Sequence, residues 1–570
     1  MTAPGRSATS AVDDGGIEAE PGVGDATQPD AGAAEPLHAR ARGKATVLLA
    51  VAVLIPVALF TWRAMHAPVN FDGAMNLQVA RRLADGDGYT RFYDELRVFP
   101  HEVQTNGPYV YVAAVGITLF GANQFAYQFS NLVYLAAFAG IVSVLLVRES
   151  AAVRIAGPFV VLLAVPDIPV YGLGGLGEVP TSCFLFAAIL ALIEALRSPL
   201  RSPWWVLGAA VAFGAAVATK TFAVGAAGVL AVGLACVVLA APTRRLRWQV
   251  VLAAGAAALV PVAREVHRGL TFGSLGGYRA WWAEQSGGIS AQSGFDDAAG
   301  GSPVRTFLDH VHVFSRSVDA PAELLLVVLC LPLFWVGALV LWRCRTQGVR
   351  RALTDPTLVL LVLIGGLAAS YISWWMLVLP DSKLWIRRMI PGLLALHLLY
   401  LFLVPWLVRV VRAGPWRGRA DGVPARRISA IAGVAGIVAV SLTAVPYGWD
   451  QIDRNTRAGL DDRSHEAWLA ATRAAAAHVE ENADQRYFGD DWWSAPVVSL
   501  MSGTDFYDLA ATDACSLDPV RDRLVWDYDA KTILSHDPLT HDGTLVYAEM
   551  ASFGGFVTIY SVGPSPGLCE

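Results

Sequence analysis

Apolar runs about as long as a bilayer is thick recur along the whole chain, and this feature limits its fold more than any other. A helix crosses ~30 Å of hydrocarbon in about 20 residues. Eleven runs fit, at roughly 45–64, 125–147, 155–173, 180–197, 203–219, 222–241, 249–264, 321–342, 357–378, 389–411 and 428–447. Of 570 residues, 55% are hydrophobic and 16% charged, and the mean hydropathy is +0.46. That is far above a soluble domain. The expected fold is a polytopic α-helical membrane protein of about eleven transmembrane helices with a small C-terminal α/β outer domain.

Loop charges set the expected orientation. With a cytoplasmic N-terminus, every second loop is short and basic: Arg148 and Arg154; Arg197 and Arg201; Arg244, Arg245 and Arg247; Arg343, Arg345, Arg350 and Arg351; then Arg409 to Arg427. This obeys the positive-inside rule. It predicts a multi-pass protein of the cell membrane with an extracytoplasmic C-terminus. "YVYVAAVGITLF", Tyr109–Phe120, tests the count. As a helix it reaches only ~18 Å, and counting it as a span would move the arginine loops outside. It is expected at the outer membrane surface. The run after Asp72 reads as a second surface helix, because Met75, Val79 and Leu83 recur at i, i+4 with Arg81 and Arg82 off that stripe.

Three regions follow. Residues 1–44 have almost no large apolar side chains and read as a disordered cytoplasmic tail. Residues 45–447 form the membrane domain, with outer loops at 65–124 and 265–320. Residues 448–570 are polar and long enough for a small outer domain. There "EAWLAATRAAAAHVEENA" has helical periodicity, and "RYFG", "TLVYAEM" and "FVTIYSV" read as strands. Cys515 and Cys569 are the two cysteines of that region. An oxidising exterior favours a disulfide between them, although spacing alone leaves two free thiols open.

The chemistry gathers at the outer ends of the spans. Asp72 follows the first span and is either a helix N-cap or a general base. Glu178, in "GLGGLGEVP", sits in a short outer turn, with Asp167 nearby in "VPDIP" as a weaker candidate. Lys220, in "ATKTFA", either snorkels or meets an anionic head group. Lys383, Arg387 and Arg388, in "DSKLWIRRMIP", are basic residues on the side that the positive-inside rule leaves poor in them. An arginine fork suits phosphate oxygens, while a topological anchor is the plainer explanation. No Walker, HExxH or Cys/His metal spacing appears. No motif indicates a metal, although a divalent ion stays open; no cofactor is expected to be required and no nucleic-acid partner is implied. A transporter would place ionisable groups at midspan, where His397 is the main example. A non-catalytic envelope scaffold or sensor is the other alternative.

Taken in order, these segments resemble the GT-C superfamily of membrane glycosyltransferases, in the branch of the protein O-mannosyltransferases (family 39) and the lipid A aminoarabinose transferase. The resemblance rests on "NFDGAMNLQVARRLADGDGY", "NGPYVYVAAVGITLFGANQFAYQFSN", "GLGEVP", "ATKTFA" and "RRMIP", and covers roughly 45–411. It implies a polyprenyl-phosphate sugar donor, a glycan, lipid or protein acceptor, and inverting transfer on the outer face of the bilayer. It implies Asp72 and Glu178 as catalytic acids, with Arg387, Arg388 and Lys220 at the donor phosphate. Two departures stand out. The chain has Asp72-Gly73 where these enzymes often have Asp-Glu, and Asn106-Gly107-Pro108 where many have a basic residue before the proline.

Overall fold

The computed structural model describes residues 35–66, 69–92, 97–98, 106–293, 303–379, 384–413, 423–460, 463–489, 494–509, 512–526, 545–567 and 569. Two compact units divide at Val47. In the first, the described part is the helical stretch from Glu35.

The apolar runs are helices because hydrocarbon offers the backbone no other hydrogen-bond partner. In chain order they are α1 (Glu35–His66), α2 (Phe71–Asp85), α3 (Pro108–Phe120), α4 (Gln124–Leu145), α5 (Ala151–Leu163), α6 (Ile168–Leu173), α7 (Glu178–Arg197) and α8 (Ser202–Thr219). After them come α9 (Ala227–Ala240), α10 (Arg244–Ala254), α11 (Leu259–Thr271), α12 (Leu275–Ser293), α13 (Pro303–Val318), α14 (Ala322–Gln347) and α15 (Val349–Leu353). The membrane part ends with α16 (Pro356–Leu377), α17 (Ile390–Ala413), α18 (Val423–Leu442) and α19 (Ala444–Leu460). Among the described residues, nine helical stretches are long and apolar enough to cross a bilayer. The protein is therefore a multi-pass membrane protein. Helix α7 lies at its centre, packed along α8, α4, α9 and α17.

The run expected as one span at 155–173 is two helices. Helix α5 ends at Leu163 and α6 starts at Ile168, with Asp167 between them at φ 52. Thirteen residues of α5 cover only about 20 Å. Helix α19 closes over the break: Asn455 Nδ2 donates to the carbonyls of Leu163 and Val165, both at 2.8 Å. Helix α3 has one buried and one exposed face. Tyr109, Val110, Ala113 and Ile117 are buried, while Tyr111, Val115 and Leu119 point away from the protein.

A two-stranded ribbon, β1 (Thr90–Arg91) and β2 (Arg97–Val98), follows α2. The C-terminal region holds α20 (Arg463–Glu481), α21 (Ala495–Ser502) and strands β3 (Arg486–Gly489), β4 (Phe506–Asp508), β5 (Asp522–Trp526), β6 (Leu545–Phe553) and β7 (Val557–Pro564). They form one mixed sheet in the order β4-β3-β5-β7-β6. Strand periodicity sorts neighbouring residues to opposite faces. Tyr487, Val525 and Ile559 pack against α20 and α21, and Phe488, Leu524 and Tyr560 pack on the other side with Leu517. Cys515 and Cys569 are joined by a disulfide with Cα atoms 5.6 Å apart, tying the Ala514–Ser516 turn to the chain end.

Candidate active site

Asp72 lies in the first turn of α2. The expected cap role belongs to another residue: the Asn70 side chain accepts the Asp72 backbone N–H at 3.0 Å, and the Asp72 carboxylate meets Arg387 instead. Nor is α2 a surface helix with one wet face. Every residue from Asp72 to Ala80 is buried, because α3, the 172–177 loop and α21 enclose the helix. Gly73 explains part of that closeness. A Cβ there would fall inside the Gly174 carbonyl oxygen, so no larger side chain fits where the resembling enzymes often carry glutamate.

The 172–177 loop delivers the second acid. Gly175 and Gly177 take φ 75 and φ 80, left-handed values that glycine adopts without strain. Asn76 Nδ2, one turn along α2 from Asp72, donates to the Gly175 carbonyl at 2.7 Å. This contact fixes the loop against the helix that carries Asp72. Glu178 then opens α7 and is 1% exposed. Lys220 Nζ meets Glu178 Oε1 at 2.5 Å. The lysine does not snorkel; it is buried between the end of α8 and the 3₁₀ turn Thr221–Ala226. Burial pulls its pKa down, while Glu178 opposes that shift.

Arg387 supplies a second ion pair from the 3₁₀ turn Ile386–Met389 that starts the α17 span. Its Nη1 lies 2.7 Å from Asp72 Oδ2. Arg387 and Arg388 both lie over the Trp385 ring, at 4.6 and 4.9 Å from its centre. The two pairs form one electrostatic unit, since Lys220 feels Glu178, Arg387 and Asp72, and Arg388 feels Arg387 and Glu178. Asp72, Glu178, Lys220, Arg387 and Arg388 thus converge from four separate segments. Asp167 stays outside the cluster, near Arg454, which partly offsets the upward push of burial on its carboxyl. His397 is buried on α17, stacked on Tyr447. Lys383 lies outside the described residues. Among the described residues, no three His, Cys, Asp or Glu side chains group as metal ligands.

Several neighbours went unread in the sequence. Asn106 bonds backbone to backbone with Thr219, its side chain accepts from Tyr89 Oη at 3.1 Å, and Arg264 donates to the Ala218 carbonyl at 3.4 Å. These contacts put a guanidinium beside the Asn106-Gly107-Pro108 segment, which has no basic residue of its own. Arg264 gave one weak signal, a charge at the end of an apolar run. His310, whose ring nitrogen lies 3.1 Å from the Trp375 carbonyl, and Trp375, whose Nε1 donates to Trp385, brace the arginine turn. No pattern in the sequence links them.

No protein-family model and no curated protein matches the chain. Among solved structures it is similar to ArnT from Cupriavidus metallidurans bound to undecaprenyl phosphate, with a TM-score of 0.55 and 15% identity over 91% of this chain and 98% of that one. The apo state of the same protein gives a TM-score of 0.52 at 13% identity, with the same coverage. This chain has the GT-C fold. Nearly the whole length of each chain is shared. Identity this low speaks to the fold alone. Within the GT-C fold, it is this chain's own side chains that argue for chemistry.

Proposed function

We propose that this GT-C chain transfers a sugar from a polyprenyl-phosphate donor to an acceptor hydroxyl at the outer face of the membrane, with inversion. The observation that carries this reading is the pairing of Asp72 with Arg387 beside Glu178 and Lys220. A base and a set of phosphate-binding cations occupy one buried cluster. The likeness to a protein solved with undecaprenyl phosphate supports the lipid carrier.

In this reading Asp72 takes the proton of the acceptor hydroxyl as its oxygen bonds to the anomeric carbon. The sugar–phosphate C–O bond breaks with its electron pair going to the phosphate oxygen. Arg387, Arg388 and Lys220 stabilise the departing polyprenyl phosphate. Glu178 opposes the downward pull of burial on Lys220 and holds its ammonium in the cluster. A single displacement inverts the anomeric centre. The acceptor is a glycan, lipid or protein hydroxyl, and no cofactor is required. A panel of synthetic polyprenyl-phosphate sugars, offered to purified protein with envelope acceptors, tests the reading. One donor is expected to be consumed, and Asp72→Asn in folded protein is expected to lower turnover by roughly 10²–10⁴. Full turnover by folded Asp72→Asn would remove Asp72 from the chemistry.

A further inference from the structure

Two groups assigned to opposite tasks occupy each other. Arg387 Nη1 sits 2.7 Å from Asp72 Oδ2, with side chains only 12% and 4% exposed. A guanidinium so close occupies the carboxylate oxygen that would otherwise accept a proton. The same contact puts a carboxylate oxygen where the arginine fork would receive a phosphate oxygen.

We propose that Asp72 is an internal stand-in for the donor phosphate, and that donor binding moves Arg387 from the carboxylate to the phosphate. The inference rests on the glycosyl-transfer reading and adds an order to it. Before the exchange, Arg387 occupies the Asp72 oxygen that would take the acceptor proton. Afterwards that oxygen is released from the guanidinium. The donor therefore binds first and uncovers the base, which protects the site from acting on an acceptor alone.

The surroundings suit such a swap. Arg387 stacks on Trp385 at 4.6 Å, a flat apolar support over which a planar guanidinium can pivot while staying stacked. The arginine passes from one anion to another, so its buried charge is never left without a partner, the costly outcome for a buried pair. Lys220 does not offer the same exchange: it is held at 2.5 Å by Glu178, which is 1% exposed. The cluster therefore divides into a fixed pair, Glu178–Lys220, and an exchanging pair, Asp72–Arg387.

The test reads binding without turnover. Polyprenyl monophosphate, with no sugar, is titrated into purified full-length protein in detergent. The forms compared are the native protein, Asp72→Asn, Arg387→Gln and the double variant, each checked for folding by thermal unfolding. In the native protein only the fraction with Arg387 released binds well, so Asp72→Asn is expected to bind on the order of tenfold tighter. Arg387→Gln is expected to bind more weakly, and the double variant no more tightly than Arg387→Gln. Unchanged or weaker binding by folded Asp72→Asn overturns the exchange. So does a gain that persists in the Arg387→Gln background, because it would report the general field and not competition for one guanidinium. Asp72→Ser replaces Asp72→Asn if the latter does not fold. Absence of binding by every folded form overturns the glycosyl-transfer reading itself, and the exchange with it.

Discussion

Gly73 and Lys220 show how single residues set the site. At Gly73, the Gly174–Gly175 backbone occupies the space that any Cβ needs. Gly73→Ala must push the loop that carries Glu178 away from α2, and overpacking of this kind costs about 1–3 kcal/mol. The expected outcome is a lower melting temperature together with lost transfer, read by thermal unfolding and the donor assay; unchanged values for both would show that the loop yields freely. Lys220 and Glu178 are 9% and 1% exposed at their side chains, so solvent screens neither. Removing one partner of a buried pair costs roughly 3–5 kcal/mol. Lys220→Met is expected to destabilise strongly, and Lys220→Met/Glu178→Gln to recover much of that loss. A double variant no more stable than the single one would show that the lysine stabilises through packing.

At the scale of elements, α2 joins the site to the C-terminal region. Gln78 Nε2 donates to the Pro496 carbonyl at 2.9 Å, and Arg81 Nη1 donates to the carbonyls of Leu500 and Met501 at 2.5 and 3.3 Å. Arg82 pairs with Asp505, and Phe506 N donates to the Phe92 carbonyl at 3.0 Å. Arg81 thereby satisfies carbonyls at the open end of α21, which lack helical partners. Arg81→Ala is expected to speed amide exchange in 495–505 by roughly ten- to a hundredfold, since a charged hydrogen bond lost there is worth about 1.5–3 kcal/mol. Hydrogen-exchange mass spectrometry checks this, and unaltered protection would mean that the apolar contacts alone hold the dock. The stripe Met75, Val79, Leu83 was legible as helix, yet it pointed to a membrane surface. The sequence carries no mark that α21, some 420 residues later, covers the same helix. The break at Asp167 was hidden for a related reason: hydropathy records that 155–173 is apolar, whereas tertiary contacts from α19 supply the hydrogen bonds that let the helix stop.

At the scale of the molecule, the disulfide joins two cysteines 54 positions apart in the C-terminal region. The chain-entropy model values such a closure at about 4 kcal/mol. Cys515→Ser is expected to lower the stability of the C-terminal region by up to that amount while the helices persist; limited proteolysis of native and variant protein reads it, and equal resistance would set the contribution near zero. Length and apolarity alone determined that this chain is a bundle of membrane helices followed by a small mixed domain, because hydrocarbon leaves the backbone no other choice and strand alternation is local. They also supplied the list of ionisable residues worth watching, since charge beside a span is rare. Only the tertiary structure decided which of those residues meet. Asp72 with Arg387, and Glu178 with Lys220, are pairs between segments separated by up to 315 residues. Such pairings depend on how helices pack side by side, and helix packing is governed by shape contacts, such as Gly73 against Gly174, that no local pattern encodes.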